Sequence, residues 1–299
     1  MPLSPIIGRF APTPSGPLHF GSLVTALASY CHAKSQQGQW LIRIEDVDTP
    51  RVVEGSVDQI LADLEFFGFE WDGEILYQSH QFDRYQAGLE QLLDKGLAYA
   101  CECSRRTLRE ANVRSGPLGM IYPGTCRNKQ LGQAGHSVRI NTETSGILGY
   151  RDQLYGEVAI DIAQKSGDFV VRRADAIFAY HLAVVLDDEL QHMNQIVRGA
   201  DLLEATCLHL FLYRLFGFTA PEYLHVPLVR NNKGDKLSKQ TGATALDKNK
   251  ASALLISALQ VLGQATEAGM QQANTAEIVR QAVESWDYHR IPVPEGDIY

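Results

Sequence analysis

A strand-like run that ends in a proline- and glycine-rich loop, and passes straight into a helical run, constrains this chain more than any other stretch in it. Ile6 and Ile7 lead into Gly8-Arg9-Phe10-Ala11-Pro12, the loop continues through Thr13-Pro14-Ser15-Gly16-Pro17-Leu18, and a Leu-, Ala- and Val-rich stretch follows from about Gly21 to Ser35. Gly38-Gln39 then gives a turn, Trp40 to Glu45 reads as a second strand, and a helix of mixed charge covers about Gly55 to Phe67. Strand, helix, strand, helix is the pattern of parallel strands joined by crossover helices. It resumes late in the chain, with a short strand at Ile196-Val197, a helix from Leu202 to Phe216 and a strand over Tyr223 to Val229. From about residue 77 to 185 the pattern is irregular, with clustered cysteines and the segment Ser115-Gly116-Pro117-Leu118-Gly119. The expected fold class is α/β: a Rossmann-type parallel-sheet domain split between residues 1–76 and 186–244, an inserted α+β domain over 77–185, and a short helical module over 245–299.

Composition narrows the function classes. The 299 residues are 45% hydrophobic and 21% charged, ordinary for a globular enzyme. No apolar run approaches the ~20 residues that span a bilayer. Met1-Pro2-Leu3-Ser4-Pro5 lacks the basic and apolar regions of a signal peptide, so a cytoplasmic chain without membrane contact is expected. The net charge of −8 argues against a simple nucleic-acid binder but leaves room for a local basic face.

Two short segments carry the chemistry. In Pro17-Leu18-His19-Phe20-Gly21-Ser22 a loop turns into a helix, where Gly21 allows close approach to the backbone and the helix start offers N–H groups to phosphates. Far downstream, Asp235-Lys236-Leu237-Ser238-Lys239 supplies two cations. Histidine and lysines around a triphosphate suit attack of a carboxylate on the α-phosphorus, a step that needs positioning and charge stabilisation rather than a protein nucleophile.

The pair of segments resembles the HIGH and KMSKS signatures of class I aminoacyl-tRNA synthetases, written here His19-Phe20-Gly21-Ser22 and Lys236-Leu237-Ser238-Lys239-Gln240. The first departs from the family pattern at its second and fourth letters. The resemblance implies catalytic roles for His19, Lys236 and Lys239. It implies ATP binding, with Mg2+, by Pro12, Gly16, His19, Gly21, Ser22, Lys236, Ser238 and Lys239.

Further blocks resemble the glutamyl branch of that class: Gly8 to Gly16, Arg43-Ile44-Glu45-Asp46-Val47-Asp48-Thr49, Asp168 to Asp175, Tyr180 to Asp188, and Val197-Arg198-Gly199-Ala200-Asp201-Leu202-Leu203. Glutamate carries two carboxylates and an ammonium, so its site needs a fixed guanidinium and a carboxylate. Arg9, Glu45 and Arg198 each fall at the end of an expected strand, where ligands of open parallel sheets bind. The resemblance implies a glutamate site of Arg9, Phe10, Ala11, Pro12, Thr13, Glu45, Tyr180 and Arg198, with Glu45 meeting the ammonium. Which arginine grips the side-chain carboxylate stays open.

Of the 5 cysteines, Cys101, Cys103 and Cys126 cluster in sequence, whereas Cys31 and Cys207 fall on apolar helical runs and read as core residues. Three thiolates suit zinc, and a structural site needs a fourth ligand. The residues alone allow His136 or Tyr122, histidine being the commoner ligand; the resemblance points to Tyr122. Such a structural Zn2+ would staple the irregular insertion.

Only a short tail follows Lys239, too short for the helical anticodon-binding domain of a full glutamyl-tRNA synthetase. The chain thus resembles the family of truncated paralogues that activate glutamate without tRNA and esterify it onto the cyclopentenediol of queuosine, the wobble base of tRNA(Asp). The expected partners are L-glutamate, ATP and that tRNA, with no obligate protein partner implied. Arg105, Arg106, Arg109, Arg114, Arg127 and Lys129 form a local basic run suited to RNA phosphates. The competing readings are a glutamyl-tRNA synthetase charging the 3′ end and a catalytically inactive RNA-binding relative.

Overall fold

The computed structural model describes residues 5–229 and 244–293. The chain opens with strand β1 (Ile7–Phe10), helix α1 (Phe20–Lys34), strand β2 (Gln39–Ile44) and helix α2 (Ser56–Phe66), followed by the two-residue strand β3 (Leu76–Tyr77). β1 pairs in parallel with β2, Ile7 opposite Gln39 and Phe10 opposite Ile42, and β2 pairs in parallel with β3. The return from α1 to β2 is tight. A Cβ on Gly38 would lie 2.7 Å from Ile6 Cβ and 2.9 Å from the Ala33 carbonyl, so only glycine fits there.

The middle of the chain runs through α3 (Phe82–Asp94), β4 (Ala98–Cys101), α4 (Arg105–Glu110), the short hairpin β5 (Ser115–Gly116) and β6 (Gly119–Met120), then β7 (Ser137–Ile140), β8 (Ile147–Asp152), β9 (Gly156–Asp161), α5 (Ile162–Lys165) and β10 (Val170–Arg172). It is more regular than its sequence suggests. α3 buries Tyr85, Gly88, Leu89 and Leu92 on one stripe, a helical spacing obscured by a polar surround. β10, β7 and β4 form an antiparallel sheet.

α6 (Tyr180–Leu190), β11 (Gln195–Gly199), α7 (Thr206–Phe216) and β12 (Glu222–Val226) complete the α/β part. β11 and β12 are parallel, Gln195 opposite Glu222 and Gly199 opposite Val226. β12 also pairs in parallel with β8, which forms an antiparallel hairpin with β9. A strand from the irregular stretch thus extends the parallel sheet. The two parallel sheets meet at Asn194: its side-chain oxygen accepts the Ile7 N–H at 2.8 Å, and its own N–H donates to the Ile7 carbonyl at 3.3 Å.

Three expected boundaries shift for identifiable reasons. The helix expected from Leu202 begins at Thr206, after a single 3₁₀ turn over Ala200–Leu202. The last strand ends at Val226 rather than Val229, because Pro227 has no N–H to continue the ladder. α6 runs unbroken across residue 185. Beyond, α8 (Ala251–Val261) and α9 (Thr275–Glu284) pack with α1 and α2 in one apolar cluster that includes Leu23, Leu27, Ile60, Leu255, Leu259 and Ile278. A second cluster joins α3, α6 and α7 to the antiparallel sheet. Among the described residues no helix is long and apolar enough to cross a membrane.

Candidate active site

The carboxyl ends of β1 and β2, neighbours in one parallel sheet, and of β11 in the other come together, where ligands of open parallel sheets bind. There a cavity of about 290 Å³ is lined by Arg9, Phe10, Ala11, Thr13, Thr25, Glu45, Tyr180, Val197, Arg198 and Leu202. Of the residues expected to hold glutamate, only Pro12 stays out of the lining. It is buried, and its carbonyl accepts the Glu45 N–H at 3.0 Å, tying the loop after β1 to the end of β2. Thr25, and Val197 and Leu202 of the block around Arg198, also line the cavity although none was among the expected glutamate residues. Thr25 lies one turn along α1 from Gly21 and donates to its carbonyl at 3.1 Å, which carries the cavity toward the helix start.

Below the cavity lies a charge network. Arg43, fully buried, donates to Asp188 at 2.7 Å and lies 3.6 Å from Glu45. Arg9 donates to the Val197 carbonyl at 3.3 Å and sits 3.7 Å from Asp188. Asp188 also accepts from Tyr213 at 3.0 Å, while Asp187 accepts from Tyr85 and Gln78 at 2.8 Å each. The contacts at 3.6 and 3.7 Å give Coulomb attraction without hydrogen bonds. Among the described residues, Glu45 Oε1 and Arg9 Nε accordingly have no hydrogen-bond partner. Sequence could have flagged this layer: two adjacent aspartates directly after the apolar run of residues 182–186, on a helix with a buried face, are costly unless paired.

Burial pushes the Glu45 carboxyl up to about 7, against the pull of Arg43 and Arg9 and with help from Asp188 and Asp187. Burial likewise lowers the Arg9 guanidinium, opposed by Asp188, and lifts the Tyr180 phenol to about 12. For Arg43, burial works against the charge, but Asp188, Glu45 and Asp187 outweigh it and hold it above its ordinary value. A ligand ammonium beside Glu45 favours the ionised carboxylate and so lowers its pKa on binding. Affinity for an α-amino acid should therefore be greatest above pH 7 and fall as the pH drops below it, by up to about tenfold per unit. Calorimetric titration with glutamate at pH 8 and pH 6 checks this, and equal affinities would remove Glu45 from the ammonium.

His19 caps α1, its Nδ1 accepting the Ser22 N–H at 3.3 Å. Gly21 and Ser22 occupy the first turn of that helix, half-buried. Gly16, with φ near 129°, lines a different hollow of about 620 Å³ together with Pro17, Gly55, Ser56, Asp63, Leu246 and Lys248. Lys236, Ser238 and Lys239 lie outside the described residues.

The sulfurs of Cys101, Cys103 and Cys126 lie within 4.8 Å of one another. The Tyr122 hydroxyl sits among them, 3.2 Å from Cys101 Sγ and 3.6 Å from Cys103 Sγ, and accepts the Cys126 N–H at 3.0 Å. His136 instead bonds the Gly132 carbonyl at 2.7 Å and is not part of the cluster. Three soft donors and a phenol oxygen at one point fit a tetrahedral cation such as zinc. Arg139 stacks on Tyr122 at 3.9 Å and donates to Cys101 Sγ at 3.2 Å. Asp168 fastens this unit to its sheet, accepting from Arg127 at 2.8 Å, from the Thr142 N–H at 2.8 Å, and from Tyr99.

A family model described as tRNA synthetases class I (E and Q), catalytic domain, matches residues 5–287. The chain belongs to that family. It is 44% identical to the glutamyl-Q tRNA(Asp) synthetase of Cronobacter sakazakii, over 98% of this chain and 95% of the relative, and 46% identical to that of Dechloromonas aromatica, over 97% and 96%. Within the family it stands with the glutamyl-Q tRNA(Asp) synthetases. A solved glutamate tRNA ligase from Elizabethkingia meningosepticum, in complex with its amino acid, superposes with a TM-score of 0.78 at 25% identity; the match covers 95% of this chain and 65% of that one.

Proposed function

We propose that this chain activates L-glutamate with ATP and transfers it to the cyclopentenediol of queuosine at the wobble position of tRNA(Asp). The observation that carries the amino-acid assignment is the 290 Å³ cavity, which Arg9 and Arg198 line together with Glu45, whose Oε1 has no hydrogen-bond partner among the described residues. Two guanidiniums and one carboxylate complement the two carboxylates and one ammonium of glutamate. The acceptor rests on the similarity to the glutamyl-Q synthetases.

Chemically, an oxygen of the glutamate α-carboxylate attacks the α-phosphorus of ATP, supplied as its Mg2+ complex. The bond to the bridging oxygen of the β-phosphate breaks and pyrophosphate leaves. A diol hydroxyl of queuosine then attacks the acyl carbon, loses its proton, and AMP departs. His19 at the start of α1, with the Gly21 and Ser22 backbone, stands beside the triphosphate, and Lys236, Ser238 and Lys239 offset charge on the leaving pyrophosphate. Pro12 and Gly16 shape the path of the nucleotide, and Glu45 with Tyr180 orients the amino acid.

Residues 77–185 act in this reading as the RNA-facing insertion, held by Zn2+ on Cys101, Cys103, Tyr122 and Cys126; the metal's contribution is a cross-link, not chemistry. Arg105, Arg109 and Arg114 are exposed and suited to phosphates. Arg106, Arg127 and Lys129 are already paired with Glu110, Asp168 and Glu102, so they contribute less. A cytoplasmic setting goes with a tRNA substrate.

The decisive experiment offers labelled glutamate and ATP to tRNA with and without queuosine, then maps the label by nuclease digestion. Label on the wobble base, absent from queuosine-free tRNA, is the expected result. Label on the 3′ terminal adenosine would instead identify a glutamyl-tRNA synthetase. RNA binding with no adenylate formed would identify an inactive relative.

A further inference from the structure

Arg198 is held quite differently from Arg43. Arg43 lies against carboxylates and does not line the cavity. Arg198 does line it, and its near partners are all uncharged. Its Nε donates to His225 Nε2 at 3.1 Å, its Nη2 to Thr206 Oγ1 at 2.6 Å, and both terminal nitrogens approach His209 Nδ1 at 3.3 Å. These partners are buried: Thr206 and His225 are 0% exposed and His209 1%.

A guanidinium only donates, so the facing ring nitrogens must accept, and each ring carries its proton on the other nitrogen. That places a proton on His225 Nδ1, 2.7 Å from Asp152 Oδ2, and another on His209 Nε2, 3.0 Å from His181 Nδ1. The Thr206 hydroxyl proton goes to the Leu202 carbonyl at 2.8 Å, leaving its oxygen free to accept. One tautomer assignment therefore satisfies every hydrogen bond that Arg198 donates, and leaves the 3.2 Å approach of Thr206 Oγ1 to His225 Nε2 as two acceptors sharing one guanidinium. Burial, reinforced by the Arg198 charge, depresses all three imidazoles, His181 and His225 to about 4, so they stay neutral while Arg198 stays charged.

We propose that His209 and His225 are positioning residues for the substrate: neutral acceptors in fixed tautomers that aim the Arg198 guanidinium into the cavity without cancelling its charge. A carboxylate in either place would fix the fork equally well but would compete with the incoming carboxylate for the same cation. Asp152, the acid of this hydrogen-bonded relay among the described residues, is kept one imidazole away from Arg198. The inference rests on the assignment of the cavity to glutamate.

Three substitutions at His209 test it, read by glutamate-dependent ATP–pyrophosphate exchange with KM and kcat separated. His209→Leu removes the acceptor, and KM for glutamate should rise about tenfold or more while KM for ATP holds. His209→Asn puts an amide oxygen near the former Nδ1 and should recover most of that loss. His209→Asp supplies a better partner for Arg198, so the melting temperature should hold or rise, yet KM for glutamate should rise most. A merely structural role predicts the opposite for Asp, and a wild-type KM in that variant overturns the proposal, as does a wild-type KM in a folded Leu variant. Should Leu misfold, the Asn and Asp pair decides alone. Wild-type protein showing no glutamate-dependent exchange would instead overturn the assignment of the cavity.

Discussion

Glu45→Gln should lower kcat/KM for glutamate by roughly thirty-fold to a few thousand-fold, the equivalent of the ~2–5 kcal/mol lost when one partner of a desolvated charge pair is neutralised. The loss should appear mainly in KM for glutamate, with KM for ATP little changed, because Glu45 lines the amino-acid cavity and not the start of α1. The variant should fold. Glutamine has the shape of a protonated glutamate, and burial already raises the Glu45 pKa to about 7, so the neutral form is well tolerated there. Its pH profile should also lose the fall below pH 7. Pyrophosphate exchange at pH 7.5 against glutamate concentration, with a thermal melt as control, checks both points. A variant with wild-type KM would place the ammonium elsewhere and undo the assignment of the cavity.

Cys126→Ser should take the metal content from about one zinc per chain to near none, since three ligands with one weakened rarely hold a structural ion. The consequences should be local first. Among the described residues only four buried ones, Cys101, Leu108, Tyr122 and Cys126, make up the apolar cluster at this site, so a metal held there would substitute for a core. Without it, β4 and the turn at Tyr122 should open to proteolysis near Arg114 before the parallel sheet melts. Metal analysis and limited trypsin digestion of wild type and variant give the answer. A zinc-free variant with an unchanged digestion pattern would mean that the thiols are not structural ligands.

The parallel sheet was legible because strand and helix periods alternate cleanly between Ile6 and Phe67 and again after Gln195, and the strand order then dictates where a ligand binds. Arg9, Glu45 and Arg198 were legible for the same reason: each ends a strand. What stayed hidden is whatever depends on distant pairing. Nothing local says that β8 will join β12, or that α3 is a helix, since its buried Tyr85, Leu89 and Leu92 are diluted by charged neighbours. Arg43 and Asp188 belong to quoted blocks, but neither residue announces that they will meet across the fold. Tyr122 against His136 could not be separated by spacing, and the hydrogen bond of His136 to Gly132 is a loop-level detail. Lys236 and Lys239 are known here only from sequence.

The Arg43–Asp188 contact spans 145 residues, and Arg9 reaches Val197 across 188. Such distances mean large loop-closure costs before these native contacts reward them, and contacts of this kind slow folding. During synthesis Arg9 and Arg43 emerge early, and Asp188, which offsets their charge, follows only after the whole intervening segment. The pocket should thus be among the last regions to be completed, and glutamate added during refolding should raise the final yield of active protein more than the initial rate of collapse.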